Sequence, residues 1–199
     1  MTIKICGLFR EDDISFANEA LPDYIGFVFT ESRRSVSIRQ AASLREKLNP
    51  AIVPVGVFVN APPELPLSLA RDGVIGAAQL HGNEDEAYIM RVKAKTNVPV
   101  IRAIRVRSHT DIEAGENSAA DYLLLDSSGG SGKRFDWSVI GACAKPYFLA
   151  GGISAATIVG ALSYRPFGID VSSGAETLGV KDLGKMLALV NAVRMASTP

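Results

Sequence analysis

Eight short apolar runs, rich in β-branched residues, alternate with amphipathic stretches along the whole chain. This is the pattern of repeated βαβ units, in which a helix follows each strand and returns the chain to the same end of a parallel sheet. The runs predict strands near residues 3–6, 24–29, 52–59, 74–80, 98–105, 121–126, 146–150 and 167–171. Several lack polar alternation, Tyr24-Ile25-Gly26-Phe27-Val28-Phe29 most clearly, as strands covered on both faces do. Eight parallel strands close into a barrel. The expected fold class is therefore α/β, a single-domain (βα)8 TIM barrel over residues 1–199. The chain is short for that architecture, for which about 250 residues is typical, so brief loops and no added domain are expected.

The intervening helices differ in strength. Ser37-Ile38-Arg39-Gln40 has capping-box spacing and opens a helix with Ile38, Ala41, Ala42, Leu44 and Leu48 on one side. Leu183, Met186, Leu187, Val190 and Val193 give the last helix an apolar stripe to seal the barrel. Ala61-Pro62-Pro63-Glu64-Leu65-Pro66 delays any helix after the third strand, because an interior proline removes a hydrogen bond and clashes with the preceding turn. The polar stretch 108–118 has room for a turn or two. Val139-Ile140-Gly141-Ala142-Cys143 reads as a helix-like apolar segment, with Cys143 in the core.

Composition narrows the setting. A hydrophobic share of 47% supports one enclosed core, and 21 Lys and Arg balance 21 Asp and Glu. The summed charge gives no reason to expect nucleic acid or an anionic membrane as partner, so any anion must be gripped locally. Two cysteines, Cys6 and Cys143, are too few for a disulfide framework and point to a reducing cytoplasm. The N-terminal residues read as a strand and not as a signal peptide, and no stretch approaches the length of a membrane span.

In such a barrel the loops that follow the strands build the active site, and the last two bind phosphate. Reactive residue types stand at those strand ends. Cys6 closes the first run ahead of Gly7, either as a buried small hydrophobe or as a thiol turned into the barrel mouth to act as base or nucleophile. Asp126 closes the sixth run, either capping its loop or serving as a general acid kept protonated by partial burial near an anion. The glycine-rich stretch beyond it is no nucleotide loop, because Gly132-Lys133 is followed by Arg134. Gly151-Gly152 and Ser172-Ser173-Gly174 follow the last two strands. Glycine lets amide N–H groups approach an anion, and a helix starting there would add its positive dipole end, so a phosphate grip is expected. Asp170 either orients substrate hydroxyls or caps its loop. His81 ends the fourth strand toward the same mouth, while His109 reads as solvated surface. Arg34 lies in an exposed loop or clamps a substrate carboxylate bidentately. No His, Cys, Asp or Glu cluster has metal-ligand spacing, and no metal is expected.

Taken in order, Lys4-Ile5-Cys6-Gly7-Leu8, Gly26-Phe27-Val28-Phe29, Gly56-Val57-Phe58-Val59-Asn60, Gln79-Leu80-His81-Gly82, Leu125-Asp126-Ser127, Phe135-Asp136-Trp137, Ala150-Gly151-Gly152-Ile153 and Asp170-Val171-Ser172-Ser173-Gly174 form a pattern spanning nearly the whole chain. It resembles the phosphoribosylanthranilate isomerase family of tryptophan biosynthesis. The resemblance implies an α/β barrel without a cofactor that converts N-(5-phosphoribosyl)anthranilate to 1-(2-carboxyphenylamino)-1-deoxyribulose 5-phosphate by an Amadori rearrangement. It implies that Asp126 protonates the furanose ring oxygen and that Cys6, as thiolate, removes the sugar C2 proton. Arg34 would hold the anthranilate carboxylate, and Gly152, Ser172, Ser173 and Gly174 the phosphate. The implied partner is a phosphorylated small molecule, and the implied assembly a monomer or homodimer. The chain departs from the family pattern at Phe9, where Thr is usual, at Thr30-Glu31-Ser32, where Pro is frequent, and in the short loop between Asp126 and Gly129. Two rivals are the histidine-pathway isomerase, which carries Asp in place of Cys6 and needs a second phosphate grip, and a non-catalytic phosphate-binding barrel.

Overall fold

The computed structural model describes residues 1–127 and 135–196. Eight parallel strands close a barrel in sequence order: β1 Thr2–Cys6, β2 Tyr24–Val28, β3 Val53–Phe58, β4 Ala77–Leu80, β5 Val100–Arg105, β6 Tyr122–Asp126, β7 Tyr147–Leu149 and β8 Gly168–Val171. The seam pairs Lys4 of β1 with Asp170 of β8, and on the other side Cys6 pairs with Gly26 of β2. Every strand expected from the sequence is present. The fourth starts later than its apolar run, because the Val74 and Ile75 amides turn back to the Leu69 carbonyl and close the preceding helix instead.

The helices are α1 Glu11–Ala20, α2 Ile38–Lys47, α3 Glu64–Arg71, α4 Glu86–Lys95, α5 His109–Glu116, α6 Ile158–Leu162 and α7 Leu183–Ala196. Apolar side chains form two layers. One fills the space between helices and sheet. The other fills the barrel itself, where Val55, Ala77, Ile101, Leu124 and Phe148 meet, with Phe148 edge-on to Tyr24 at 5.5 Å and to Phe167 at 5.3 Å.

Ser37 caps α2 as its spacing predicts, its hydroxyl accepting from the Gln40 amide at 3.1 Å. Ala41, Leu44 and Leu48 are buried, whereas Ile38 is 52% exposed. Helical side chains lean toward the N-terminus, so this first-turn residue overhangs the packed face. Pro66 sits third in α3. First-turn amides have no intrahelical acceptor, so proline costs no hydrogen bond there. The helix expected around Cys143 does not form. A four-residue 3₁₀ turn, Trp137–Ile140, ends at Gly141 with φ +56°, and Pro146 follows too soon for a new helix. Cys143 is half-buried in that irregular stretch, its thiol donating to the Lys145 carbonyl at 3.3 Å. His109 is also half-buried, with Nδ1 3.2 Å from the Val139 carbonyl, because it opens α5 against this turn. Beyond β8 comes a short hairpin absent from the sequence expectations, β9 Glu176–Thr177 and β10 Val180–Lys181. Among the described residues no helix is long and apolar enough to cross a membrane.

Candidate active site

The C-terminal ends of the strands open on a cavity of about 450 Å³. Cys6, Arg34, His81, Asp126, Gly151, Gly152, Asp170, Ser172 and Ser173 all line it. Gly174 lies just behind. Alternation along β1 turns both Lys4 and Cys6 into the barrel. A Cβ at Gly26 would come within 2.6 Å of the Cys6 sulfur, so glycine on β2 makes the space the thiol occupies. Gly7, at φ +82°, then ends β1, and the amides of Gly7 and Leu8 both donate to the Gly26 carbonyl.

Lys4 is fully buried, and its ammonium donates to Asp170 Oδ1 at 2.8 Å. Burial opposes that charge, but Asp170 and Cys6 more than offset it and raise the lysine pKa. For Cys6, burial and Asp170 raise the thiol pKa above its ordinary value, and Lys4 offsets part of that rise. Of the two roles open to Asp170, the structure gives it a buried partner, Lys4, for which the sequence assigns no role. The signal for Lys4 is a lysine in an apolar strand two residues before Cys6, hence on the same face.

Asp126 stands on the far side of the barrel mouth and is 8% exposed. Its Oδ1 accepts from the Ser127 amide at 2.8 Å, and Oδ2 lies 3.6 Å from His81 Nε2. Gln79 Nε2 is 2.9 Å from His81 Nδ1. With the Gln79 amide as donor, the imidazole proton sits on Nε2 and faces Asp126.

At the other end of the cavity Gly151 and Gly152 have φ of +84° and +67°, and their amides have no acceptor among the described residues. The expected helix dipoles are not next to them. The five-residue α6 begins only at Ile158, and a three-residue 3₁₀ turn, Ser173–Ala175, follows β8. The anion donors on offer are therefore loop amides, a concave nest of N–H groups. Gly174 has a packing role, because a Cβ there would lie 1.9 Å from the Ile153 carbonyl oxygen. The two loops stack backbone against backbone at that point.

Arg34 is not free to use its whole fork on a ligand. Its Nε and Nη2 donate to Glu176 of the hairpin at 2.6 and 3.0 Å, and Arg33 and Lys181 reach the same carboxylate at 2.7 and 2.8 Å. Burial opposes the Glu176 charge, but Arg34 and Lys181 outweigh it and hold its carboxyl below the usual range. The end-on edge, Nη1 with the second Nη2 proton, is the part of Arg34 left for a bidentate contact. Lys181 also donates to the Ser172 carbonyl at 3.1 Å, so one carboxylate ties the Arg34 loop to the β8 loop. Phe9 packs against the outer core under Arg10 and does not line the cavity, whereas Thr30, Glu31 and Ser32 do. The glycine-rich stretch 128–134 lies outside the described residues. Among the described residues no group of three or more His, Cys, Asp or Glu side chains is placed to hold a metal ion.

A family model described as N-(5'phosphoribosyl)anthranilate (PRA) isomerase matches residues 3–192. The chain belongs to the phosphoribosylanthranilate isomerase family. An N-(5'-phosphoribosyl)anthranilate isomerase of Endomicrobium trichonymphae is 43% identical over 96% of this chain and 98% of its own length. The phosphoribosyl anthranilate isomerase of Thermotoga maritima superposes with a TM-score of 0.89 at 34% identity, covering 98% of this chain and 99% of that one. A family structure in complex with reduced 1-(o-carboxyphenylamino)-1-deoxyribulose 5-phosphate superposes with a TM-score of 0.87 at 32% identity, again over 98% and 99% of the two chains. The TIM barrel expected from the sequence is thus the barrel of the phosphoribosylanthranilate isomerases.

Proposed function

We propose that this cavity carries out the Amadori rearrangement of N-(5'-phosphoribosyl)anthranilate with Asp126 as general acid and Cys6 as general base. The chain is an isomerase of tryptophan biosynthesis, as its family is. One observation carries the residue assignment: a buried thiol and a carboxylate face one cavity from nearly opposite strands, β1 and β6, with amide donors at one end and a guanidinium at its edge. Asp126 delivers a proton to the furanose ring oxygen as the C1–O bond breaks, leaving a protonated Schiff base. The Cys6 thiolate then takes the C2 proton, the electron pair moves to the nitrogen, and the resulting enolamine tautomerises to the ketone. The Gly151-Gly152 and Ser172-Ser173-Gly174 loops hold the phosphate, and Arg34 holds the anthranilate carboxylate by its end-on edge.

The rival histidine-pathway substrate needs a second phosphate site near β3 and β4. There the Asn60 and Gly82 amides already donate to the Glu84 carboxylate at 2.7 and 2.8 Å, and that negative charge opposes a phosphate. Turnover of each synthetic substrate decides between them. Loss of anthranilate fluorescence, with no turnover of the histidine-pathway aminoaldose, is expected; the reverse preference would overturn this reading.

Two further results are expected. Arg34→Ala should weaken product binding by about 1.5–3 kcal/mol, the worth of a charge-assisted hydrogen bond, or roughly 10- to 150-fold. Ribose 5-phosphate, which lacks the carboxylate, should bind as before; calorimetry showing equal losses for both ligands would remove Arg34 from carboxylate recognition. Gly174→Asp should weaken both ligands, since any side chain there forces the stacked loops apart and a carboxylate repels phosphate. Unchanged ribose 5-phosphate affinity would place the phosphate elsewhere.

A cytoplasmic location and a monomer or homodimer are part of the same proposal. A solved Thermotoga maritima relative is described both as dimeric and as generated monomers. Sedimentation of the purified chain settles its own state.

A further inference from the structure

We propose that Lys4, held by Asp170 inside the barrel, is the counter-ion that answers the charge of the Cys6 thiolate when the general base forms. The inference rests on Cys6 being that base. Lys4 and Cys6 are two residues apart on one strand, on the interior face, and Lys4 is fully shielded from water. A buried ammonium is retained only beside anions. Asp170, its neighbour across the β1–β8 seam, supplies one at 2.8 Å, and Cys6, two residues on along the same interior face, is the next group placed to present one.

The remaining charges around Cys6 do not replace Lys4. Lys181 of β10 exerts a smaller pull on the thiol and is committed to Glu176 and the Ser172 carbonyl. Arg34 lies over Gly7 and is committed to Glu176. Asp126 and His81 face the cavity from β6 and the end of β4, and uncharged Gly26 of β2 lies beside the sulfur. Lys4 and Asp170 cancel, so forming the thiolate adds one negative charge that Lys4 is placed to share. When Cys6 takes the C2 proton its charge is lost, and the ammonium turns wholly to Asp170. Lys4 thus acts through Cys6 as a positioning residue and exchanges no proton with the substrate.

The test reads thiol ionisation directly and needs no turnover. In a Cys143→Ser background, where one thiol remains, the rate of iodoacetamide alkylation is followed against pH. Lys4→Met should raise the midpoint by about one pH unit or more, as loss of an adjacent opposite charge does. Asp170→Asn should lower it, because Lys4 then answers the thiolate without a competing carboxylate. Lys4→Met with Asp170→Asn should fall between wild type and Lys4→Met, and it serves if a bare buried Asp170 prevents the single variant from folding. The acid limb of kcat/KM should move with the same signs. Midpoints that stay in place, or move in one direction in all variants, would mark the pair as structural and overturn the proposal. Cys6→Ala separates the two failures: lost turnover with unmoved midpoints sinks the Lys4 role alone, whereas retained turnover sinks the base assignment itself.

Discussion

Asp126→Asn should lower kcat by about a hundredfold or more while leaving product affinity almost unchanged, the usual contribution of a positioned acid. Asparagine keeps the shape of the side chain and still accepts a hydrogen bond from the Ser127 amide, which lies 2.8 Å from Oδ1 in the wild-type chain. It has no proton to give to the ring oxygen. The furanose then opens without assistance, and the Schiff base on which Cys6 acts forms slowly. Steady-state kinetics together with product titration distinguish this from a binding defect. A rise in KM at constant kcat would make Asp126 a positioning group, and His81, 3.6 Å from its Oδ2, would be the first alternative donor.

Cys6→Ala should produce a loss of the same order with the fold intact. The thiol is a small group in a space made by Gly26, and the backbone around it is held independently by the Gly7 and Leu8 amides on the Gly26 carbonyl. Alanine removes the proton acceptor and little packing. Serine should not restore turnover, because a hydroxyl in the same buried position ionises far less readily than a thiol. Near wild-type kcat in Cys6→Ala, with circular dichroism unchanged, would take Cys6 out of the mechanism.

The eight strands were legible because parallel strands covered on both faces read as continuous apolar runs, whatever their pairing. Short or interrupted elements were not. The apolar letters before Cys143 suggested a helix, but Gly141 turns the chain into the left-handed region after one 3₁₀ turn. The β9–β10 hairpin has two residues per strand, too few to show alternation, and its turn at Leu178 and Gly179 uses positive φ values of 51° and 84°. The residues proposed as acid and base stood out because each closes an apolar run. Their supporting charges were not, because their partners are distant in sequence. Lys4 meets Asp170 across 166 residues, and Glu176 meets Arg34 across 142. A lysine in a strand or a glutamate after a glycine-rich turn carries no sign of such a partner until the barrel closes. The proposed phosphate grip rests on partly different features from those expected: the glycines supply loop amides and close backbone stacking, and the helix ends lie elsewhere.

Proton transfer from Asp126 and to Cys6, proposed for the rearrangement of a phosphoribosyl anthranilate in this cavity, is tested most directly by a single-turnover experiment with enzyme in excess, following the decay of anthranilate fluorescence in wild type, Cys6→Ala and Asp126→Asn. Excess enzyme keeps product release out of the observed rate. Fast decay in wild type, slowed about a hundredfold or more in each variant, is the expected result. Decay at the wild-type rate in either variant, or no decay in the wild-type chain, would contradict the claim.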